Sequence, residues 1–308
     1  MLFRSKRNFH SCPEENFETM TLKIKPVLGI IGVGLIGGSV GLAQKKTEAF
    51  SRVLGVGRSS VNMDEALRLG AIDEAVNLSE CASRADVLVV CVPVAQTFSV
   101  LHAIEPHLKP NALITDAGST KSDVIMAAKT ALGDKVAQFV PAHPIAGGAQ
   151  HGAGAASQDL YQGREVIICP LQENDPKSVD AMDQFWQSTG AKTHRMSALQ
   201  HDAVFAAISH LPHVLSFALM LQVANAEDAS VKLGHAGAGF RDFTRIAGSS
   251  PEMWRDICLA NKSALLRELD NYGNLMQLIR DMIAKEDGEA LLKAFTRASA
   301  ERQKWEGR

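Results

Sequence analysis

Nothing limits what this chain can fold into more than the stretch Val27-Leu-Gly-Ile-Ile-Gly32-Val-Gly34-Leu-Ile-Gly37-Gly38-Ser39. The apolar run Val27 to Ile31 reads as a buried parallel strand. A glycine-rich turn follows, then a helical stretch from Leu35 to about Lys45. Gly32 permits a tight turn, Gly34 lets the backbone approach a pyrophosphate, and Gly37 lets helix and strand pack closely. The first helical residues, Leu35 and Ile36, then offer unpaired N–H groups to phosphate. The pattern by itself is common. Its place after a strand, before a helix and near the start of a domain points to a dinucleotide site rather than a turn that binds nothing.

The length, 308 residues, suggests two domains. With 46% apolar residues and a formal net charge of −2, the chain has neither a disordered composition nor the basic surface of a nucleic-acid binder. No apolar run reaches the length needed to span a bilayer. The five cysteines are widely spaced and form no CxxC pair. They suggest reduced thiols in a cytoplasmic protein, without a disulfide framework or a zinc site. Residues 1–25 look unlike the rest. Arg4, Lys6 and Arg7 precede Glu14, Glu15 and Glu18 without periodicity or an apolar core. The segment reads as a disordered tail and not as a secretory signal, and Met20 is a second possible start.

A dinucleotide-binding domain is expected over residues 26–194. Its second strand is Arg52 to Val56. About 20 residues past the third glycine, an NAD-specific site places Asp or Glu on the ribose hydroxyl. Here the chain reads Gly57-Arg58-Ser59-Ser60. No carboxylate repels a 2′-phosphate, and a guanidinium fork and hydroxyls suit one. NADP is therefore preferred, with NAD possible; otherwise Arg58 is a solvated surface residue. Asp64 to Leu69 reads as a helix. Ala85 to Val92 is the next buried strand, and Val92-Pro93 stands at its ligand-binding end. The strand Ala112 to Thr115 runs into Asp116-Ala-Gly118-Ser119-Thr-Lys121. Ser119 falls at the same sheet edge, as a helix cap, a functional hydroxyl or both. A strand from Phe139 leads into His143-Pro144-Ile-Ala-Gly147, which puts a histidine on the cofactor edge. Glu165 to Cys169 reads as a strand and Ser178 to Ser188 as a helix. Gly190 to Arg195 looks like an exit from the domain.

From Ser197 onward strand signals vanish. An all-α domain is expected over residues 195–308. Ser197-Ala-Leu-Gln200 is a capping-box pattern. A long apolar helix from Ala198 to about Ala226 is interrupted near Pro212. It carries Ser209-His210-Leu-Pro-His213, with the two histidines on one face. With no carboxylate or cysteine beside them, they suit a ligand-facing polar patch better than a metal. Gly234 to Gly239 reads as a flexible segment. Asp242 and Arg245 are spaced so that the carboxylate could orient the guanidinium, or form a surface pair worth little. Pro251 starts a helix carrying Trp254. Leu265, Leu269, Leu275, Leu278, Ile279 and Met282 show helical spacing. So much apolar helix surface suits burial against a second subunit, and a homodimer through this half is expected.

Five motifs occur in order: Gly32-x-Gly34-Leu-Ile-Gly-Gly-Ser39, Asp116-x-Gly118-Ser119-x-Lys121, His143-Pro-Ile-Ala-Gly147, Ser209-His-Leu-Pro-His213 and Arg241-Asp-x-x-Arg245-x-Ala-x-Ser249. The first is generic; the other four together are specific. Between about Val27 and Arg302 the chain resembles the prephenate/arogenate dehydrogenases of tyrosine biosynthesis. The resemblance implies an α/β fold, with an N-terminal Rossmann-type dinucleotide-binding domain followed by an all-α C-terminal dimerisation domain. It implies oxidative decarboxylation of a cyclohexadienyl ring, with hydride leaving C4 and CO₂ leaving C1. His143 matches the base that takes the 4-hydroxyl proton, and Ser119 would hydrogen-bond that hydroxyl or His143. Arg245 matches the cation that holds a substrate carboxylate. His213 would help to bind substrate, His210 would support the pocket, and Asp242, Ser249 and Trp254 fall at the substrate end. Gly32, Gly34, Leu35, Ile36, Gly37, Gly57, Arg58, Ser59, Val92, Pro93 and Gly118 would hold the cofactor. One departure bears on the choice between the two substrates. Many prephenate-using relatives carry an acid soon after Gly147, where this chain reads Gly148-Ala149-Gln150-His151. Other enzymes of similar architecture, the β-hydroxyacid dehydrogenases and imine reductases, use a lysine or no base in the helical half, and fit these motifs less well.

Overall fold

The computed structural model describes residues 25–148 and 150–306. The expected N-terminal tail lies almost wholly outside them. Strand β1 (Val27–Ile31) enters the glycine turn and leads into helix α1 (Leu35–Lys46). There follow β2 (Arg52–Val56), α2 (Ser60–Arg68), β3 (Glu74–Ala75), α3 (Leu78–Arg84), β4 (Val87–Val90), α4 (Thr97–Ile104), β5 (Leu113–Asp116) and α5 (Ser122–Leu132). The five strands form one parallel sheet in the order β3-β2-β1-β4-β5. The chain reverses its winding between β1 and β4, so a crevice opens past their carboxyl ends.

Both faces of this sheet are covered, and its strands are accordingly apolar along their length. Leu28, Ile30 and Val89 face one core with Trp186 and Tyr161; Ile31, Leu88 and Val90 face the other with Leu101 and Phe139. Gly32 has φ +97°, and a Cβ there would stand 2.3 Å from the Cys91 carbonyl oxygen. Only glycine lets β1 turn so close to the end of β4.

A second sheet continues the domain. Strand β6 (Ala142–Pro144) pairs antiparallel with β7 (Glu165–Ile168). After α6 (Pro176–Gln187), β8 (Lys192–Arg195) pairs parallel with β7. The segment expected to be an exit from the domain is thus still a sheet strand. A bridge between Ile114 and Phe139 ties this sheet to β5 and fixes where β6 begins.

The remainder is helical. Helix α7 (Ala198–Phe205) passes through a π-turn (Ala206–His210) into α8 (Leu211–Ala224). Pro212 has no N–H for the carbonyl of Ile208, and its ring would clash there. The wider turn just before it relieves both problems, so the helix bulges where an interruption was expected. Short helices α9 (Ala229–Gly234) and α10 (Ala238–Thr244) follow. They reduce the expected flexible segment to a brief turn. Helices α11 (Pro251–Ala260), α12 (Lys262–Ala284) and α13 (Gly288–Glu306) complete the fold.

The run Ala198–Ala224, at 27 residues, is long and apolar enough by length and composition to cross a membrane. That corrects the expectation that no stretch reaches this length. Two of its polar residues are engaged with the rest of the fold: Asp202 accepts from the N–H groups at the start of α5, and Ser216 donates to the Phe243 carbonyl.

Candidate active site

A cleft of about 850 Å³ opens over the carboxyl ends of β1, β2 and β4. Gly32, Gly34, Gly57, Arg58, Ser59, Val92 and Pro93 line it. Helix α1 has neither an acidic residue in its first turn nor a side-chain cap. A Cβ built on Gly34 meets nothing within 4 Å. The first N–H groups of α1 therefore face open space beside bare backbone, which fits the pyrophosphate of a dinucleotide. Gly37 lines no cleft; it lies underneath, where a Cβ would meet the Gly32 carbonyl oxygen at 2.2 Å. At Gly57 a Cβ would run into Met63 Sδ at 2.4 Å, so the usual carboxylate position is filled by packing. Arg58 is exposed and joins no ion pair among the described residues. Ser59 is partly committed: its hydroxyl accepts from the Asn62 N–H as the cap of α2.

A smaller cleft of about 280 Å³ continues past Val92 and Pro93, which line both. Ile36, Gly118 and Ser119 line it from the nucleotide side, and Ser250, Met253 and Ile257 from the helices. Ser119 does not cap α5. Asp202, from α7, does that instead: its two oxygens accept from the N–H groups of Lys121 and Ser122, each at 2.9 Å.

Beside this loop lies a buried ion pair. Lys121 Nζ bonds Asp116 and also donates to the Ala142 carbonyl at 2.8 Å. The Ala142 N–H donates in turn to Asp116 at 3.0 Å. The backbone just before His143 is thus clamped on both of its polar groups. The His143 ring is held on its other flank. His143 Nδ1 lies 2.8 Å from His201 Nε2, and His201 Nδ1 lies 2.9 Å from Asp202 Oδ1. Phe205 packs edge-on against His143 at 5.0 Å. Of the two contacts expected of Ser119, the one to His143 is not made; the His143 ring bonds His201 through Nδ1.

Burial, with the positive charge of Lys121 and the neighbouring His201 and His210, holds His143 well below its ordinary value. It is neutral near pH 7. Burial pushes His210 down to about 4, against opposing pulls from Asp202 and the Ser119 backbone. Burial would raise Asp202, but the hydrogen bonds from His201, Ser122 and Lys121 outweigh it and bring the carboxyl down to about 2. His210 Nδ1 accepts from Asn261 at 3.1 Å, while His213 stacks on Trp254 with ring centroids 3.6 Å apart. Both histidines thus face Trp254, His213 stacked on it and His210 edge-on at 6.0 Å.

The family model for the nucleotide-binding domain of prephenate dehydrogenase matches residues 40–195, and that for its dimerization domain matches residues 197–297. The chain belongs to the prephenate dehydrogenase family. It is 37% identical over 280 residues to the prephenate dehydrogenase of Bacillus subtilis, covering 90% of this chain and 75% of that one. It is 34% identical to the cyclohexadienyl dehydrogenase of Zymomonas mobilis, covering 87% and 92%. Among solved structures, prephenate dehydrogenase from A. aeolicus in complex with hydroxyphenyl propionate and NAD+ superposes with a TM-score of 0.85 at 29% identity. That match covers 91% of this chain and 98% of the other. This chain is thus an oxidoreductase of the prephenate/arogenate dehydrogenase family with a nucleotide-binding domain, and its architecture is the expected one.

Of the expected site residues outside the nucleotide cleft, Ser119 lines the smaller cleft, whereas His143 against His201, and His210 and His213 against Trp254, line neither cleft. Arg245 is exposed, and its charge helps to depress His213. Among the described residues no ion pair joins it to Asp242, so the orienting contact that their spacing allows is not formed. Ser249 precedes the Ser250 cap of α11 without lining either cleft. Four residues escaped the sequence reading: His201, Asp202, Asn261 and His151, the last of which lines the smaller cleft. A polar His-Asp pair inside an apolar helix was the available signal for the first two.

Proposed function

We propose that this chain oxidises and decarboxylates prephenate, arogenate or both, and uses NADP in preference to NAD. The observation that carries the reading is a neutral His143 held between the clamped backbone of Ala142 and His201 of the helical half. A base that must take a hydroxyl proton near pH 7 has to be unprotonated beforehand. His143 meets that need. Ser119 hydrogen-bonds the same hydroxyl, Arg245 holds a substrate carboxylate, and His213 on Trp254 contacts the ring. His210 braces the pocket, with Asp242 and Ser249 at its rim. NAD(P), when bound, accepts the hydride from C4. Gly32, Gly34, Leu35, Ile36 and Gly118 seat it, and Arg58 with Ser59 favours a 2′-phosphate. The names of the relatives and the dimerization-domain match support this reading, and a homodimer through the helices.

The test is initial rate with prephenate and with arogenate, each with NAD and NADP. Turnover is expected with at least one substrate, faster with NADP. His143→Asn should then lower turnover by roughly a hundredfold or more, with NADP binding near wild type. Silence in all four assays would remove the reading. Unchanged turnover in the variant would remove His143 as the base.

A further inference from the structure

We propose that Asp202 sets, through His201, which nitrogen of His143 is bare, so that His143 meets the substrate with Nε2 unprotonated. The inference deepens the role given to His143 above and rests on it.

The argument follows hydrogens along one chain of contacts. Asp202 accepts from two backbone N–H groups at the start of α5, which secures its ionised form. An ionised carboxylate only accepts. His201 Nδ1, 2.9 Å away, must therefore carry a hydrogen. A neutral imidazole has one ring hydrogen, so His201 Nε2 is left with its lone pair. That lone pair faces His143 Nδ1 at 2.8 Å. Two lone pairs at this distance would repel, so His143 carries its hydrogen on Nδ1. Its Nε2 is the free base. Burial, helped by the charge of Lys121, outweighs the pull of the Asp202 and Asp116 carboxylates and holds His201 below its ordinary value, which favours its neutral form. Phe205 packs against both rings, at 5.0 and 4.5 Å, and holds their planes.

In the reaction an O–H bond of the substrate breaks and an N–H bond forms at His143 Nε2. The Nδ1 hydrogen stays where it is. The new positive charge grows one ring away from a fixed carboxylate, which favours the transfer. His201 and Asp202 touch no reacting atom. They are positioning residues.

The test combines ¹⁵N NMR of the ring nitrogens with rates, on the full chain and without substrate for the NMR. The ten histidines are distinguished by subtraction of a His143→Gln spectrum. In the wild type at pH 7, His143 should show a protonated Nδ1 and a bare Nε2. His201→Leu removes the acceptor and should mix the two tautomers and lower kcat by roughly tenfold or more. His201→Gln puts an amide oxygen near the position of Nε2 and should restore both. Dinucleotide affinity, measured alongside, should not change in either variant. A protonated Nε2 on wild-type His143, or a His201→Leu enzyme with wild-type tautomer and rate, would overturn the proposal. Because the NMR needs no turnover, an enzyme inactive on both substrates would count against the proposed function while the tautomer still decides this point.

Discussion

Lys121 is completely buried beside Asp116, which is an unusual place for an amine. Its neighbours explain it. The pair grips the Ala142 carbonyl and N–H, while Asp116 also accepts from the Gly118 N–H at 2.8 Å. Two charges thus hold the Ser119 loop and the His143 strand to one another. Lys121→Met leaves a buried carboxylate without its cation, and breaking such a pair costs about 3–5 kcal/mol. Urea unfolding checks this; a loss below about 1 kcal/mol would mean that the two N–H donors suffice. Arg58 poses the opposite case, since an exposed guanidinium contributes little to folding. Arg58→Ala should weaken NADP much more than NAD, and titration with each would show it. Equal weakening would mean that Arg58 does not touch the 2′-phosphate. That Arg58 lines the cleft was legible because its position is local: it stands at a fixed offset from the glycine turn. His201 was not, because its partner is 58 positions away in the chain.

At the scale of elements, the helical run through α7, the π-turn and α8 carries three of the site's histidines. His201, His210 and His213 all lie below their ordinary values, as does His143 on β6. Burial leads the causes in each case. The sign of the consequence is fixed: with folded values below the unfolded value of about 6.5, the unfolded chain binds more protons as pH falls. Stability from these groups is complete above that value and is lost on the way down, for His210 through about 4. The melting temperature should therefore drop between pH 7 and pH 5, before the carboxylates titrate. His210→Gln should flatten that slope, and an unchanged slope would assign the loss elsewhere. The helix itself was readable from its apolar run and Ser197 cap, which accepts from the Gln200 N–H. The bulge was not, since Pro212 announces a disruption without saying which kind.

Across the whole molecule, the two halves are built differently. The sheet half buries two continuous cores, whereas α9, α10 and α13 bury no residue at all. Leu275, Leu278, Ile283, Leu292 and Phe295 are more than half exposed on α12 and α13. An apolar surface of this extent suits a second copy of the chain. Leu278→Arg together with Phe295→Arg should convert a dimer to monomers in sedimentation, and a wild type that sediments as a monomer would refute the reading. The overall order of sheet half then helical half was legible because strand and helix periodicities change abruptly near Ser197. How the halves join was not, because Asp202 gives no sign in sequence that it serves a helix in the other domain.

That cap has a consequence for motion. Asp202 belongs to α7 and the N–H groups it holds belong to α5, so the two halves cannot part without exposing both. Parting them would also withdraw His201 from His143. The cap of α5 and the hold on the His143 ring are thus one latch, made by two adjacent residues of α7.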